Sequence, residues 1–262
     1  MIRSCWTQRA LLAQLVRHEF ARRYRGSHGG ILWSLAQPLA MLVVFTLAFG
    51  VLLWRGAGNP AGGAAAYALE VFPGLMLFQA LTEVMNKSPD LVTGNPAYVK
   101  KIVFPLDLLP VTQALAAWGH ALIGLAVWAL VYGAYHHHFP LGALWIPALA
   151  LAFLPALLFF GFLFSALGVF FRDLSQVAGP LGQALLFLSP VLYRIEDLAP
   201  RWQAWLYLNP LTFIVEQVRI AMALGAIGNA SGLGLYVACA VTACTGAWWF
   251  FQRGRRHFAD WV

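Results

Sequence analysis

Four carboxylates are the side chains of this 262-residue chain that are best suited to acid–base chemistry. They are Glu83, Glu196, Asp197 and Glu216. Two positioned carboxyl groups can donate and accept a proton in one reaction. These four do not cluster along the sequence, however, so their spacing gives little support for catalysis. We therefore predict no catalytic residue.

A second group of residues, which could bind a metal ion, consists of three consecutive histidines, His136, His137 and His138. Histidine is a common metal ligand, but neighbouring side chains point in different directions. A turn between two apolar segments already explains this polar run, because Phe139 and Pro140 follow it. We predict no metal site in the chain.

A phosphate-binding loop is absent from the sequence. That motif requires a Gly-Lys pair, and none of the three lysines, Lys87, Lys100 and Lys101, follows a glycine. Neither the G-x-S-x-G nucleophile motif nor the H-E-x-x-H zinc motif occurs. The chain cannot hydrolyse ATP by a P-loop, and no familiar catalytic machinery is visible.

The composition predicts a protein whose solvent is lipid. Apolar residues make up 61% of the chain and charged residues 10%, against about 25% in ordinary soluble domains. Such a surface in water would expose far larger apolar patches than soluble proteins tolerate. The composition thus excludes a soluble enzyme, and the three cysteines suggest no disulfide framework.

Charge-free runs of about 20 residues predict an all-α polytopic membrane protein with six spans. Residues 108–171 carry no Asp, Glu, Lys or Arg and are long enough for two crossings, which we divide at His136–Pro140. The predicted spans are 31–54, 71–87, 107–134, 142–171, 174–193 and 233–251.

The distribution of Lys and Arg predicts the orientation. With both termini in the cytoplasm, 13 of the 17 basic residues lie on the cytoplasmic side. Cytoplasmic loops are enriched in Lys and Arg, so this orientation is favoured. Arg55, Arg194, Arg201 and Arg219 remain on the outer side.

Residues 8–25 predict a basic amphipathic helix that lies in the membrane interface. Leu12, Leu15, Val16, Phe20 and Tyr24 fall on one arc at 100° per residue, and polar residues fall opposite. Such a helix can anchor to anionic lipid or dock a cytoplasmic partner, and both interpretations stay open.

Two further segments lie between spans. Residues 88–101 form a cytoplasmic segment longer than a bare connector requires, in which Pro89 suits a helix start and Asn95-Pro96 a helix end. Residues 194–226 mix charge with aromatic residues, which predicts short re-entrant outer helices or an aromatic belt on an ordinary loop.

Glu83 is an acid within an apolar segment. Placing a carboxylate in a span costs about 2.5–3.5 kcal/mol on insertion scales. It should therefore face the bundle interior or lie near a membrane surface, and the sequence leaves both positions open.

Several motifs together resemble one transporter family. The pattern R-Y-x-x-S-x-x-G-x-x-W…P is formed by Arg23, Tyr24, Ser27, Gly30, Trp33 and Pro38. Further matches are 101–110, Phe171-Arg172-Asp173, 189–193 and 208–211 with Asn209-Pro210. In this order the motifs resemble those of ABC-type polysaccharide export permeases.

The resemblance implies a homodimer that works with two separate nucleotide-binding subunits. It implies export of lipid-linked glycans such as O-antigen, capsule or teichoic acid across a bacterial inner membrane. The chain itself would carry no cofactor, because ATP and Mg²⁺ would be bound by the partner. Membrane lipids are further expected partners, and nucleic acid is not.

The resemblance also implies roles for particular residues. Those expected to couple to the ATPase are Arg17, Arg22, Pro89, Asp90, Asn95, Pro96, Lys100 and Lys101. We expect aromatic rings to line a sugar path, because sugars present apolar C–H faces. The expected path and gate residues are Glu83, Phe159, Phe160, Phe164, Tyr193, Trp202, Trp205 and Tyr207.

Two alternatives to polysaccharide export remain at this stage. A membrane-embedded enzyme of glycan or lipid assembly would use the carboxylates named first. An ABC exporter of a small molecule would share the architecture and differ only in cargo.

Overall fold

The computed structural model describes residues 6–24, 32–54, 63–99, 104–137, 141–255 and 258, and all regular structure among them is helical. The α-helices of this part are α1 Arg9–Tyr24, α2 Trp33–Trp54, α3 Gly63–Lys87, α4 Pro96–Val99, α5 Leu108–His136, α6 Ile146–Phe170, α7 Leu174–Phe187, α8 Pro200–Leu206, α9 Pro210–Leu224 and α10 Ala230–Gly254. Short 3-10 helices cover Leu141–Trp145 and Ile195–Asp197. The predicted all-helical class is confirmed.

Four of these helical segments are long and apolar enough to cross a bilayer. They are Ala65–Lys87, Leu108–His136, Leu141–Phe170 and Ala230–Gly254. The chain is therefore a multi-pass membrane protein. The number six stays a prediction, because α2 has 22 residues with a shorter apolar stretch at Trp33–Ala48, and α7 has 14 residues.

Helix α7 is shorter than the predicted span 174–193. It ends at Phe187, two residues before Ser189 and three before Pro190. A residue that precedes proline disfavours the helical conformation, so helices usually end at or before it. At about 1.5 Å per residue the helix is about 21 Å long, less than a bilayer core of about 30 Å.

The predicted helix at the start of segment 88–101 is wrong. Residues 88–94 form turns, in which the amide of Gly94 donates to the carbonyl of Asp90 at 2.8 Å. The short helix α4 begins at Pro96, where that sequence step was expected to end one. Proline suits the first helical position because its missing N–H would be unpaired there in any case.

Helix α3 is the central element of the bundle and packs against α2, α5, α6, α7 and α9. Phe72, Leu77 and Leu81 of this helix are fully buried. Helix α10 packs mainly on α6, and α1 packs on α5.

The bundle has two ends that differ in composition. One, which we call the Lys87 end, contains α1, the 88–99 segment and the C-terminus of α10, where Arg255 donates to the carbonyl of Phe104 at 3.1 Å. The other, the Gly63 end, contains the turn after α5, where His137 adopts a left-handed conformation with φ 55°.

Gly168 of α6 allows the 88–94 turns to pack closely, because a Cβ there would overlap backbone atoms of Pro89. We predict that Gly168→Ala lowers the free energy of unfolding by about 1–3 kcal/mol, the usual range for overpacking. Thermal unfolding in detergent would measure this. Gly246→Ala on α10 is the matched control, since a Cβ at that position would meet no atom within 4 Å. Equal melting temperatures for both variants would contradict the close packing of the 88–94 turns on Gly168.

Candidate functional site

A cleft of about 390 Å³ opens at the Lys87 end between α1, the 88–95 turns and the start of α5. We call it the α1 cleft. Its lining residues are Leu15, His18, Glu19, Arg22, Asn86, Lys87, Asp90, Leu91, Gly94, Asn95, Tyr98, Leu109, Thr112 and Gln113. Three of the residues expected to couple to an ATPase, Arg22, Asp90 and Asn95, thus meet in one cleft.

The other expected coupling residues lie elsewhere. Pro89 is buried against Gly168, whereas Pro96 is exposed at the start of α4. Arg17 is exposed and does not line the cleft. Lys100 and Lys101 lie outside the described residues.

Helix α1 borders the cleft and presents two unlike faces. Leu12, Leu15 and Phe20 are partly buried, while Arg17 and His18 are exposed. The ring of Phe20 lies 4.2 Å from the ring of His120 on α5. The helix is therefore attached to the bundle by its apolar face and presents a basic face outward.

Glu83 lies one turn before the end of α3, at the Lys87 end. Its Oε1 accepts a hydrogen bond from Lys87 Nζ at 2.9 Å, and its Oε2 lies 3.2 Å from His120 Nδ1. Lys87 Nζ also donates to Glu19 Oε1 of α1 at 3.3 Å. Glu83 is therefore paired near the Lys87 end of the bundle.

Sequence reasoning missed Glu19, Lys87 and His120. The spacing of Glu83 and Lys87 by four residues on a helix was a usable signal. Glu19 falls on the apolar arc of α1, which was a second signal. No local pattern indicated His120, because it comes from a different helix.

A second group of charges ties the Gly63 end together. Glu70 of α3 pairs with Arg194 at 3.2 Å, and its Oε1 lies 3.9 Å from Arg219 Nε. Arg219 Nη1 donates to Glu216 at 2.8 Å. No sequence pattern indicated Glu70, because its partners lie more than 120 residues further along the chain.

Arg219 also holds the segment that follows α7. Its Nη2 donates to the carbonyls of Pro190 at 2.9 Å and Tyr193 at 3.2 Å. The hydroxyl of Tyr67 donates to the carbonyl of Leu192 at 2.6 Å. Burial raises the pKa of Glu216, and the charge of Arg219 opposes that rise.

The expected path aromatics separate into groups. Phe159 and Phe160 of α6 and Tyr207 line one apolar cavity of about 320 Å³. Phe164 is buried and lies edge-on to Phe160, with ring centroids 5.9 Å apart. Burial raises the pKa of Tyr207, and the charge of Glu216 adds to the rise, so its phenol stays neutral at neutral pH.

The remaining three aromatics do not join that cavity. Trp202 and Trp205 of α8 are 55% and 67% exposed. The hydroxyl of Tyr193 donates to the carbonyl of Phe187 at 3.1 Å, next to the end of α7. The structure therefore brings together Phe159, Phe160 and Tyr207 but leaves the two tryptophans at the surface of the Gly63 end.

Comparison with known proteins agrees with this architecture. Residues 10–223 match the family described as ABC-2 type transporter, which covers most of the chain. This protein belongs to that family. Membership makes the chain the membrane-embedded part of a transporter and not an enzyme in its own right.

Three relatives of this ABC-2 type transporter carry informative names. The O-antigen export system permease protein RfbA of Myxococcus xanthus is 24% identical over 99% of this chain and 98% of its own length. A protein of the same name from Klebsiella pneumoniae is 28% identical over 78% of this chain and 77% of its own. The polysialic acid transport protein KpsM of Escherichia coli is 22% identical over 86% of each chain.

The motif residues of this ABC-2 type transporter have identifiable structural roles. Asn209 accepts from the amide of Leu211 at 3.0 Å and caps α9, and its Nδ2 donates to Ser189 Oγ at 2.7 Å. Pro210 occupies the first turn of α9, where its missing N–H is harmless. The motifs at 189–193 and 208–211 are therefore hydrogen-bonded to each other.

The other motif residues are distributed along the first half of the chain and at one turn. Trp33 begins α2 and is exposed, and Pro38 lies inside that helix. Arg172 and Asp173 form the turn between α6 and α7. Arg23 and Tyr24 end α1, but their side chains, like all of Ser27 and Gly30, lie outside the described part.

Among the residues that the structure describes, this transporter has no metal-binding group, because no three His, Cys, Asp or Glu side chains converge there. The four carboxylates first considered for acid–base chemistry do not form a single group, although Glu196 is close enough for its charge to help raise the pKa of Glu216. Glu83 lies at the Lys87 end, whereas Glu216 pairs with Arg219 at the Gly63 end.

Asn209→Ala should loosen the segment 188–209 of this ABC-2 type transporter. The variant loses the cap of α9 and the bond to Ser189, so we predict a loss of about 1–2 kcal/mol in the free energy of unfolding. Protease sensitivity within residues 188–209 should rise in detergent. Asn229→Ala removes a cap at the start of α10 and provides the comparison. Equal protease sensitivity of residues 188–209 in both variants would show that the hydrogen bond between Asn209 and Ser189 does not hold this segment in place.

Proposed function

We propose that this chain is the permease subunit of an ABC exporter that moves lipid-linked polysaccharide, of the O-antigen type, outward across a bacterial inner membrane. The observation that supports this most is a relative named as an O-antigen export permease that matches almost the whole chain. Family membership and the four long apolar helices agree with it. Because this sequence contains no P-loop, the proposal assigns ATP hydrolysis to a separate ATPase.

Two copies of the chain would form the conduit. The apolar cavity that Phe159, Phe160 and Tyr207 line has a volume of about 320 Å³, which is small for a polysaccharide, so a second copy would be needed to complete the path. Apolar side chains are exposed on α2 and α7, including Leu39, Val43 and Leu181. These faces are available to a second copy as well as to lipid.

The Lys87 end would face the cytoplasm. Among the described residues this end contains Lys87, Arg172, Arg253 and Arg255 in addition to the arginines of α1. Cytoplasmic loops are enriched in such residues, which supports this orientation, and both termini would then lie inside.

The ATPase would dock at the α1 cleft. Arg22, Asp90 and Asn95 offer both signs of charge and an amide within one concave surface. Complementary charges fix the register of an interface more than they add to its affinity. The adjoining Lys100 and Lys101 would extend the same surface. On this assignment, α1 is a docking element that also lies in the lipid interface.

Charge reversal at Lys100 and Lys101 tests the docking surface. We expect Lys100→Glu combined with Lys101→Glu to abolish co-purification with a co-expressed partner ATPase, since like charges across an interface cost several kcal/mol. Arg201→Glu at the Gly63 end is the control and should retain the complex. If the double variant still retains the ATPase, these lysines do not belong to the interface. If the isolated chain forms a glycan or lipid product, the chain is instead a membrane-embedded enzyme.

The exposed tryptophans of α8 test the sugar path. Trp202→Ala combined with Trp205→Ala should reduce surface glycan severalfold while leaving folding and ATPase binding intact, because the rings are more than half exposed and can stack on sugars. Trp249→Ala on α10, whose ring is 57% exposed, is the matched control. Unchanged surface glycan in the double variant would exclude these two residues from the path.

A further inference from the structure

A continuous chain of ion pairs, extended by a hydrogen bond between Glu83 and His120, links α1 to two helices of the bundle. Arg22 lies 3.1 Å from Glu19, and Glu19 lies 3.3 Å from Lys87 of α3. Lys87 lies 2.9 Å from Glu83, which in turn lies 3.2 Å from His120 of α5. One lysine thus bridges two carboxylates that belong to different helices.

The inner members of this chain are largely shielded from solvent. The side chains of Glu19 and Glu83 are each 13% exposed and that of His120 is 10% exposed, whereas Lys87, which lies between the two carboxylates, is 36% exposed. Removing the cation from two shielded carboxylates leaves uncompensated charge, which is unfavourable. Movement of Glu19 away from Lys87 would therefore be resisted more than separation of two fully exposed charges.

An aromatic contact fixes α1 at the same place. The ring of Phe20, the residue after Glu19, lies against His120, and a Cβ on Gly119 would lie 2.7 Å from its Cζ atom. The flat ring thus occupies the space that a side chain at position 119 would fill. Charge and packing together attach α1 to α3 and α5 in one register.

The network also borders α2 through a small polar cavity. About 30 Å³ of space is lined by Ser34, Gln37 and Pro38 of α2 together with Glu83 and His120. A water molecule needs about 10–15 Å³ by this measure and several polar partners, so the cavity suits about two. Four helices therefore share one polar centre near the Lys87 end.

We propose that Glu19, Lys87 and Glu83 form a clamp that transmits movement of α1 to α3 and α5 during transport. This inference rests on the proposed function, in which the ATPase acts on α1. Apolar contacts alone would allow α1 to shift along the bundle. The pairing of Glu19 and Glu83 with Lys87 instead requires the end of α3 to move with α1. The three are positioning residues and contact no substrate in this role.

The test is a double-mutant cycle on the permease–ATPase complex in proteoliposomes. Glu19→Gln, Lys87→Gln and the double variant are compared by the ATP hydrolysed per glycan chain exported. We expect each single variant to raise this ratio about fivefold or more, the lower end of typical coupling effects. The double variant should raise it no further, because the pair acts as a unit.

Two further variants separate coupling from folding. Lys87→Arg keeps the charge and should restore much of the normal ratio. Arg253→Gln removes an exposed cation at the same end, whose ring contact is with Trp249, and should leave the ratio unchanged. Glu19→Gln preserves the pair within α3, so it tests the link even if Lys87→Gln does not fold.

The outcomes distinguish the clamp from the proposed function. A lower melting temperature with a normal ATP ratio would show the contacts to be merely structural and would overturn the clamp. Additive effects of the two single variants would overturn it as well. If the unaltered chain neither binds the ATPase nor exports glycan, the proposed function fails, and the clamp fails with it.

Discussion

The arrangement of this protein depends on one constraint, which is that charge inside a lipid-embedded bundle must be paired. Only 27 residues of 262 carry a formal charge, 17 basic and 10 acidic. The ion pairs that the structure describes form two groups, one around Lys87 and one around Arg219. Between them the bundle is packed through apolar residues of α3. Polar contacts between distant segments are therefore concentrated where each group lies.

The two groups hold different kinds of element. Around Lys87, the pairs attach a helix that lies outside the bundle to the end of its central helix. Around Arg219, a single guanidinium group gathers the carbonyls of an irregular segment and a carboxylate of its own helix. Arginine suits this position because its planar fork offers five donors in fixed directions. The ion pairs at the Lys87 end thus connect helices, whereas Arg219 at the Gly63 end holds non-helical backbone in place.

Much of the helical architecture could be predicted from the sequence, because long apolar runs and proline steps are local signals. The break at His136 belongs to this class. The error at Pro96 arose because proline permits a helix start as readily as it ends a preceding helix. Glu70 and His120 could not be identified, since their partners come from other helices. Pairing at long range leaves no periodic trace in a single sequence.

The length of α7 has a consequence for the surrounding lipid. Its hydrophobic length falls short of the acyl region by about 9 Å if that region is about 30 Å thick. A short apolar segment is accommodated by local thinning of the bilayer or by neighbouring polar groups that reach inward. Lipid headgroups beside α7 would consequently lie deeper than elsewhere. A charged lipid headgroup would therefore cross a shorter distance of hydrocarbon beside this helix.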